Sequence, residues 1–302
     1  MRLLNKTVLK IPKLKAKIHK NFELAKKTWL GVGGPAEYYI EPHGLNDLKL
    51  IMQHKADLPI TILGAGSNVL IRDGGIDGIV IHLGKAFKDF HVEKDKITCA
   101  AGLSLMEIAK IAAQNGLSDF EFMSGIPGSL GGGLKMNAGA YGSDMSQVVT
   151  SIRLMDPEGK LHKITPSRTK FFSYRHSELP KGWIFVEATL KGKARDKKEI
   201  LALMSELRQK RVATQPQGVR TAGSTFKNPP NIPAWKLIDA AGLRGYSYKG
   251  AKMSEKHSNF MINENKASAG SLEELGEFVR TSVAAKTGQQ LEWEIERIGK
   301  RK

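Results

Sequence analysis

Gly125-Ile126-Pro127-Gly128-Ser129-Leu130-Gly131-Gly132-Gly133-Leu134-Lys135-Met136-Asn137-Ala138-Gly139-Ala140-Tyr141-Gly142 is the stretch on which the reading of this chain turns. Seven of its residues are glycine, more than tight turns require. Backbone with so few side chains lets successive N–H groups converge on an anion, and a diphosphate is the usual occupant of such a cradle. A second cradle, Gly64-Ala65-Gly66-Ser67-Asn68, follows the short apolar run 59–63. It opens like the dinucleotide fingerprint G-x-G-x-x-G, but Val69 stands where the third glycine belongs, so that motif is not met. Walker A, H-E-x-x-H and G-x-S-x-G sequences do not occur, which argues against P-loop NTPases, zincins and α/β-hydrolases.

Around these loops the chain reads as mixed helix and strand without regular βαβ alternation, hence α+β. Strands are predicted over 59–63, 78–83, 87–91, 97–100 and 183–190, with a hairpin at 150–164 turning on Asp156-Pro157-Glu158-Gly159. A capping box, Ser104 with Glu107, opens a helix that Gly116 stops. A second, Ser271 with Glu274, is expected to open a helix reaching Lys286. An amphipathic helix is predicted over 199–215, a short one over 234–241, and strands over 259–262 and 291–298. The polar, basic stretch 191–198 marks a boundary, giving a basic arm (1–20), two subdomains (21–84 and 85–199) and a C-terminal domain (200–302).

Of 302 residues, 41% are hydrophobic and 25% charged, an ordinary globular balance large enough for two or three domains. One cysteine, Cys99, excludes an intrachain disulfide and suits a reducing cytoplasm. No apolar run is long enough for a membrane-spanning helix, and the eight histidines are scattered without metal-site spacing. Lysine and arginine exceed the acids by 47 − 30 = 17, and seven basic residues without an acid lie between Arg2 and Lys20. Such an excess attracts anions of any kind. With aromatics at only 7%, and not interleaved with the cations, a nucleic-acid surface is the weaker reading.

Three further segments carry chemistry. Arg175 within Ser173-Tyr174-Arg175-His176-Ser177 could clamp a carboxylate or phosphate. Gly223-Ser224-Thr225-Phe226-Lys227-Asn228-Pro229 joins two hydroxyls, a cation and an amide in a glycine-led turn. Glu292, Glu294 and Glu296 would share one face of a strand, and periodicity does not choose among them.

In this order the segments resemble the UDP-N-acetylenolpyruvoylglucosamine reductase family. The resemblance spans about Asn21 to Gly299 and also rests on TWLGVGGPA (28–36), LGAGSNVLIRDGGIDGIVI (63–81), SEKHSNFMIN (254–263) and LEWEIERIG (291–299). It implies a vanillyl-alcohol-oxidase/PCMH-type FAD-binding region of two α+β subdomains, followed by a smaller α+β substrate domain. It also implies FAD and NADPH as cofactors, a UDP-sugar substrate, no nucleic acid and no membrane insertion, no metal, and a cytoplasmic protein, with the oligomeric state left open and a monomer favoured. Gly64, Ala65, Gly66, Ser67, Asn68, Gly125, Ile126, Pro127, Gly128, Ser129, Gly132, Ala138, Gly139 and Ala140 would line the FAD. Arg175 and Glu294 match the family's active-site arginine and glutamate, and Ser224 its proton donor, so the family pattern selects Glu294 from the three carboxylates. Tyr174, Lys227, Asn228, Arg211 and His257, with Arg220 beside them, are candidates for holding the substrate. The short span from Arg175 to Ser224 contains no tyrosine, like the branch without the extra tyrosine loop. Trp293, Lys135 and Gly31 depart from the residues common in the family at their positions. A different flavin oxidoreductase of the same architecture would keep the glycine loops but lack the 173–177 and 223–229 segments.

Overall fold

A computed structural model describes residues 10–302. Its first layer is a four-stranded sheet in the order Ile18–Glu23, Pro35–Ile40, Ile76–His82, Ile60–Leu63, antiparallel at the first pair and parallel thereafter. Strand Ile76–His82 is central and buried on both faces. Ile79 and Ile81 pack toward Leu48, Ile51 and Met52 of helix Leu45–His54, while Val80 packs with Leu24, Tyr39 and Leu63 on the other side. The alternation of side chains along a strand sends neighbouring residues into different cores.

The predicted arm does not run free to residue 20. Its residues 1–9 lie outside the described part, but Ile11 and Ala16 are buried, and strand Ile18–Glu23 pairs with Pro35–Ile40 across the expected boundary. The carboxylate of Asp47 holds this strap by accepting from the Lys15 N–H at 3.2 Å and the Ala16 N–H at 2.9 Å.

The second layer is a five-stranded antiparallel sheet ordered Leu161–Ile164, Val149–Met155, Ile184–Lys191, Lys96–Ala100, Phe90–Glu93. The first of the paired strands predicted near residue 90 begins three residues late, because 85–87 forms a single helical turn that buries Phe87. The capping box forms as predicted: the Ser104 hydroxyl accepts from the Glu107 N–H and the Glu107 carboxylate from the Ser104 N–H. It starts helix Leu105–Gln114, whose Ile108 and Ala112 meet Ile97, Cys99, Ile152 and Leu190 of the sheet. Helix Lys197–Thr214 buries only Ile200 fully, so the apolar stripe predicted for it is a half-covered surface rather than a core face.

The third layer is a four-stranded antiparallel sheet, Thr221–Ser224, Phe260–Asn263, Ala251–Met253, Ser247–Tyr248, covered by helices Ala234–Ala240 and Ala269–Thr287. The long helix is capped by Ser268, not Ser271: the Ser268 hydroxyl accepts from the Ser271 N–H, and Glu274 instead receives hydrogen bonds from Tyr248 and Lys249. A Ser three residues before a Glu also occurs one turn inside a helix already begun, where the amides are taken and no box forms.

Two connections cut across the division at residue 199. Leu30, Val32 and Leu70 belong to the core of the third layer. The terminal strand, Glu296–Ile298, returns to pair in parallel with Val69–Ile71. Beside it, the carboxylate of Glu273 accepts from Arg72 through both oxygens at 2.8 and 2.9 Å and also meets Arg297 and Arg301. The Asp73 carboxylate accepts from the first helical amides, Ala269 at 3.1 Å and Gly270 at 2.9 Å. Opposite charge at a helix start and a forked arginine pair both favour this arrangement.

Candidate active site

The three layers meet at a cleft of about 970 Å³. The two glycine loops face each other across it. Ser67 Oγ donates to the Pro127 carbonyl at 2.9 Å, and a Cβ added to Gly64 would stand 2.6 Å from Ser129 Oγ. Gly66 serves the fold itself: its φ is +67°, and a Cβ there would lie 1.9 Å from the Lys27 carbonyl. Gly132 is different, exposed to the cleft, and a Cβ on it would approach nothing closer than Ser129 Oγ at 3.7 Å.

Among the described residues, no backbone or side-chain acceptor meets the N–H groups of Ala65, Gly66, Ser67 and Asn68. Four successive donors aimed at no protein partner are what an anionic diphosphate satisfies, so these residues fit the tail of a dinucleotide cofactor.

Arg175, Ser224 and Glu294 line the same cleft. Arg175, at a left-handed φ of +56°, follows the short strand Phe172–Ser173, and its guanidinium lies 5.0 Å from the Tyr174 ring centroid. Its Nε donates to Glu294 Oε1 at 2.8 Å and its Nη2 to the Gly139 carbonyl at 3.2 Å. Burial pushes the Glu294 carboxyl above its ordinary range, a rise that Arg175 and then Lys227 only partly offset.

Residues 291–295 are not the regular strand expected there, and the strand proper begins at Glu296. A single bridge, Phe226 with Trp293, joins this stretch to the 223–229 turn: the Glu294 N–H donates to the Thr225 carbonyl at 2.9 Å and the Lys227 N–H to the Glu292 carbonyl at 2.8 Å. Glu292 therefore parts from the other two, since Glu294 and Glu296 both line the cleft. Glu292 is exposed beside Lys227 Nζ at 3.3 Å, and Glu294 is turned inward to Arg175. The hydroxyl of Ser224, on the strand Thr221–Ser224, makes no hydrogen bond to any described residue.

Ile126, Pro127, Gly128, Ala138, Gly139, Ala140, Arg211, Asn228 and His257 also line the cleft. Gly125 lies just outside it, with a Cβ position 3.0 Å from Arg211 Cδ. Tyr174 and Lys227 stand at the rim rather than on the wall: Tyr174 is half exposed and its hydroxyl accepts from the Asn228 N–H at 3.3 Å. Arg220 is not brought to the cleft, because its side chain lies against Gly31, 3.1 Å from where a Cβ would stand. Burial pushes the Arg211 guanidinium below its ordinary value, with no carboxylate beside it among the described residues. His257 is likewise lowered by burial, and its Nδ1 is buried without a partner there. Gln215 Oε1, also buried and unpartnered in the cleft, escaped sequence reading because it follows a helix end and belongs to no motif. Unsatisfied polar atoms gathered in one cavity mark a place for a polar ligand.

A mixed sheet and an antiparallel sheet with facing glycine cradles define an FAD-binding flavoenzyme, and residues 36–165 match the family model described as "FAD binding domain". Residues 215–298 match the model "UDP-N-acetylenolpyruvoylglucosamine reductase, C-terminal domain". The chain is 45% identical to the UDP-N-acetylenolpyruvoylglucosamine reductase of Rickettsia conorii, covering 97% of this chain and 99% of that one. It is 44% identical to that of Azorhizobium caulinodans over 96% and 94%. A crystal structure of the Thermus caldophilus reductase superposes with TM-score 0.82 at 34% identity, covering 95% of this chain and all 100% of that one. The chain belongs to the UDP-N-acetylenolpyruvoylglucosamine reductase family. Among the described residues, no helix is long and apolar enough to cross a membrane.

Proposed function

We propose that the chain reduces the enolpyruvyl ether of UDP-N-acetylglucosamine-enolpyruvate to UDP-N-acetylmuramate, a precursor of peptidoglycan, with NADPH as the source of electrons. The single observation that carries this reading is the half-buried Arg175–Glu294 pair at 2.8 Å, lining the same cleft as the glycine loops and the free hydroxyl of Ser224. FAD, held at its diphosphate by the 64–68 and 126–129 loops with Gly132 and 138–140 beside them, supplies hydride transfer when bound.

Hydride arriving at C3 of the enolpyruvyl group pushes negative charge onto C2 and its carboxylate. The Arg175 guanidinium, still carrying free N–H donors after its bonds to Glu294 and Gly139, orients that carboxylate and stabilises the developing charge. Ser224 gives its hydroxyl proton to C2. The resulting alkoxide needs a nearby cation; Lys227, three residues on and near enough to act on the Glu294 charge, would have to leave Glu292 at the rim to supply it. An ionised and unpaired Glu294 would repel the substrate carboxylate; burial raises its carboxyl toward the protonated form and Arg175 pairs with it, so Glu294 works protonated or paired with Arg175. Arg211, Asn228, His257 and the rim residue Tyr174 hold the polar and anionic part of the UDP-sugar, which would satisfy the buried groups on that wall. A cytoplasmic location accords with these substrates.

Replacing Ser224 with alanine tests the assignment. Bleaching of the flavin by NADPH should stay near normal, while reoxidation by the enolpyruvyl substrate slows by about two to four orders of magnitude. Reoxidation at the normal rate would remove Ser224 from the role.

A further inference from the structure

We propose that Trp293 is a positioning residue for the reaction: a peg driven into helix Ala269–Thr287 that fixes the Phe226–Trp293 bridge and with it the relative placement of Glu294 and Ser224. The inference rests on the role given above to Glu294 and names what holds that residue in place.

Trp293 is fastened on every side. Its Nε1 donates to Glu277 Oε1 at 2.9 Å, the Arg297 guanidinium lies 4.4 Å from its ring, and the Phe226 ring centroid is 5.2 Å away. The tip of the indole occupies the space a side chain at position 276 would take: a Cβ on Gly276 would stand 2.1 Å from Cη2 and 2.2 Å from Cζ2. Glu277 is itself gripped by Arg280 and Arg297, both at 2.6 Å, so the indole N–H meets an acceptor that is already fixed. The side chain of Trp293 thus points into the helix while the next residue, Glu294, is turned toward Arg175.

The consequence reaches both walls of the chemistry through main chain alone. Glu294 N–H and Ile295 N–H donate to the Thr225 carbonyl at 2.9 and 3.4 Å, and Thr225 follows Ser224 directly. Asn259 clamps the other side of the same turn, accepting from the Phe226 N–H and donating to the Phe226 carbonyl. With Asn259 held in the turn that opens strand Phe260–Asn263, the remaining freedom of the bridge is a slide or tilt of residues 292–295, and the Trp293 peg removes it. Displacements of about 1 Å at reacting groups cost on the order of a hundredfold in rate.

The test uses the FAD-loaded enzyme with five variants, Trp293→Ala alone and Glu294→Gln serving as comparators. Trp293→Phe removes the donor and part of the peg. Gly276→Ala presses on the indole from the helix side. Gly276→Ala combined with Trp293→Ala gives the new methyl room. Trp293→Phe and Gly276→Ala should each slow reoxidation by the enolpyruvyl substrate about tenfold or more, with FAD content and bleaching by NADPH within about twofold of the parent. The alkaline limb of reoxidation should move down by about half a pH unit or more, because Glu294 gains water while Arg175 and Lys227 remain the charges facing it. Calorimetric binding of UDP-N-acetylmuramate should show the same displacement with pH. The double variant should be no slower than Trp293→Ala alone. An unmoved alkaline limb in Trp293→Phe, whatever its rate, overturns the inference. Glu294→Gln separates the two layers of argument: it should abolish the limb, and if the limb survives there, the role of Glu294 itself fails.

Discussion

Asn68 and Glu294, 226 residues apart in sequence, are joined by a hydrogen bond from Asn68 Nδ2 to the Glu294 carbonyl at 3.0 Å. The last residue of the first glycine loop thereby steadies the residue proposed to act on the substrate. The Glu296 N–H donates in turn to the Asn68 carbonyl at 3.0 Å, so the loop and the returning terminal chain form one piece. Asn68→Ala should leave a carbonyl in the cleft wall unpaired and lower stability by about 1–2 kcal/mol, read from urea unfolding of the flavin-loaded protein. It should also accelerate FAD loss on dilution, followed by flavin fluorescence. Unchanged stability and retention would show that the bond does not couple the two segments.

Gly66 and Gly132 should part company. Gly66→Ala places a methyl against the Lys27 carbonyl in a left-handed backbone, and the expected outcome is a failure to yield folded protein. Gly132→Ala sits in the helix Leu130–Lys135 with its methyl toward the cleft. The flavin-free protein should be equally stable or gain up to about 1 kcal/mol, while FAD affinity falls about fivefold or more. Calorimetric titration of FAD into the two proteins checks both statements.

The clasp around Glu273 has a defined pH signature. Arg72 first, and then Arg301, hold its carboxyl down to about 2 from an ordinary 4.5. A depressed value means that stabilisation is complete above the ordinary pKa and is lost as pH falls toward 2. Glu273→Gln should cost about 2–4 kcal/mol at pH 7, with the gap narrowing below about pH 4.5 and closing toward pH 2 in urea titrations. A gap independent of pH would mean that shape rather than charge holds this contact.

Glu294 should behave in the opposite sense. Its raised value means that the native state binds the proton more tightly than the unfolded chain. Its contribution is present below the ordinary 4.5 and is lost as pH rises through the raised value. The stability of the parent should therefore fall relative to Glu294→Gln between pH 4 and pH 8, measured as the difference in denaturation midpoints. A constant difference would indicate that the carboxyl titrates as it does in water.

Arg175→Lys keeps the charge but loses the fork that meets Glu294 and Gly139 at once. Reoxidation by the enolpyruvyl substrate should slow by about two to three orders of magnitude, with flavin reduction by NADPH little changed. A rate within about threefold of the parent would show that a point charge suffices there.

The capping box at Ser104 and Glu107 was legible because both partners lie within one turn of each other. The glycine loops were legible because their composition has few other uses. The box expected at Ser271 failed for the same local reason in reverse: Ser268 lies one turn earlier with an equally competent hydroxyl, and Glu274 is drawn off by Tyr248 and Lys249. Arg220 and Gln215 show the limit at the site. Proximity to a motif suggested the first, which lies against Gly31, and nothing local suggested the second, which is buried in the cleft.

By itself the sequence determined the α+β character, the two anion-accepting loops and the three segments that hold chemically active side chains, since each depends on residue type and short-range spacing. Only the tertiary structure decided which of three alternating glutamates meets Arg175, because the bridge to Phe226 interrupts the strand and Arg175, far away in the chain, pairs with Glu294. It also decided that the terminal strand closes against Val69–Ile71 and that the Trp293 indole fills the gap at Gly276. Such contacts join residues separated by most of the chain, and no local pattern encodes which distant surfaces come to share one core.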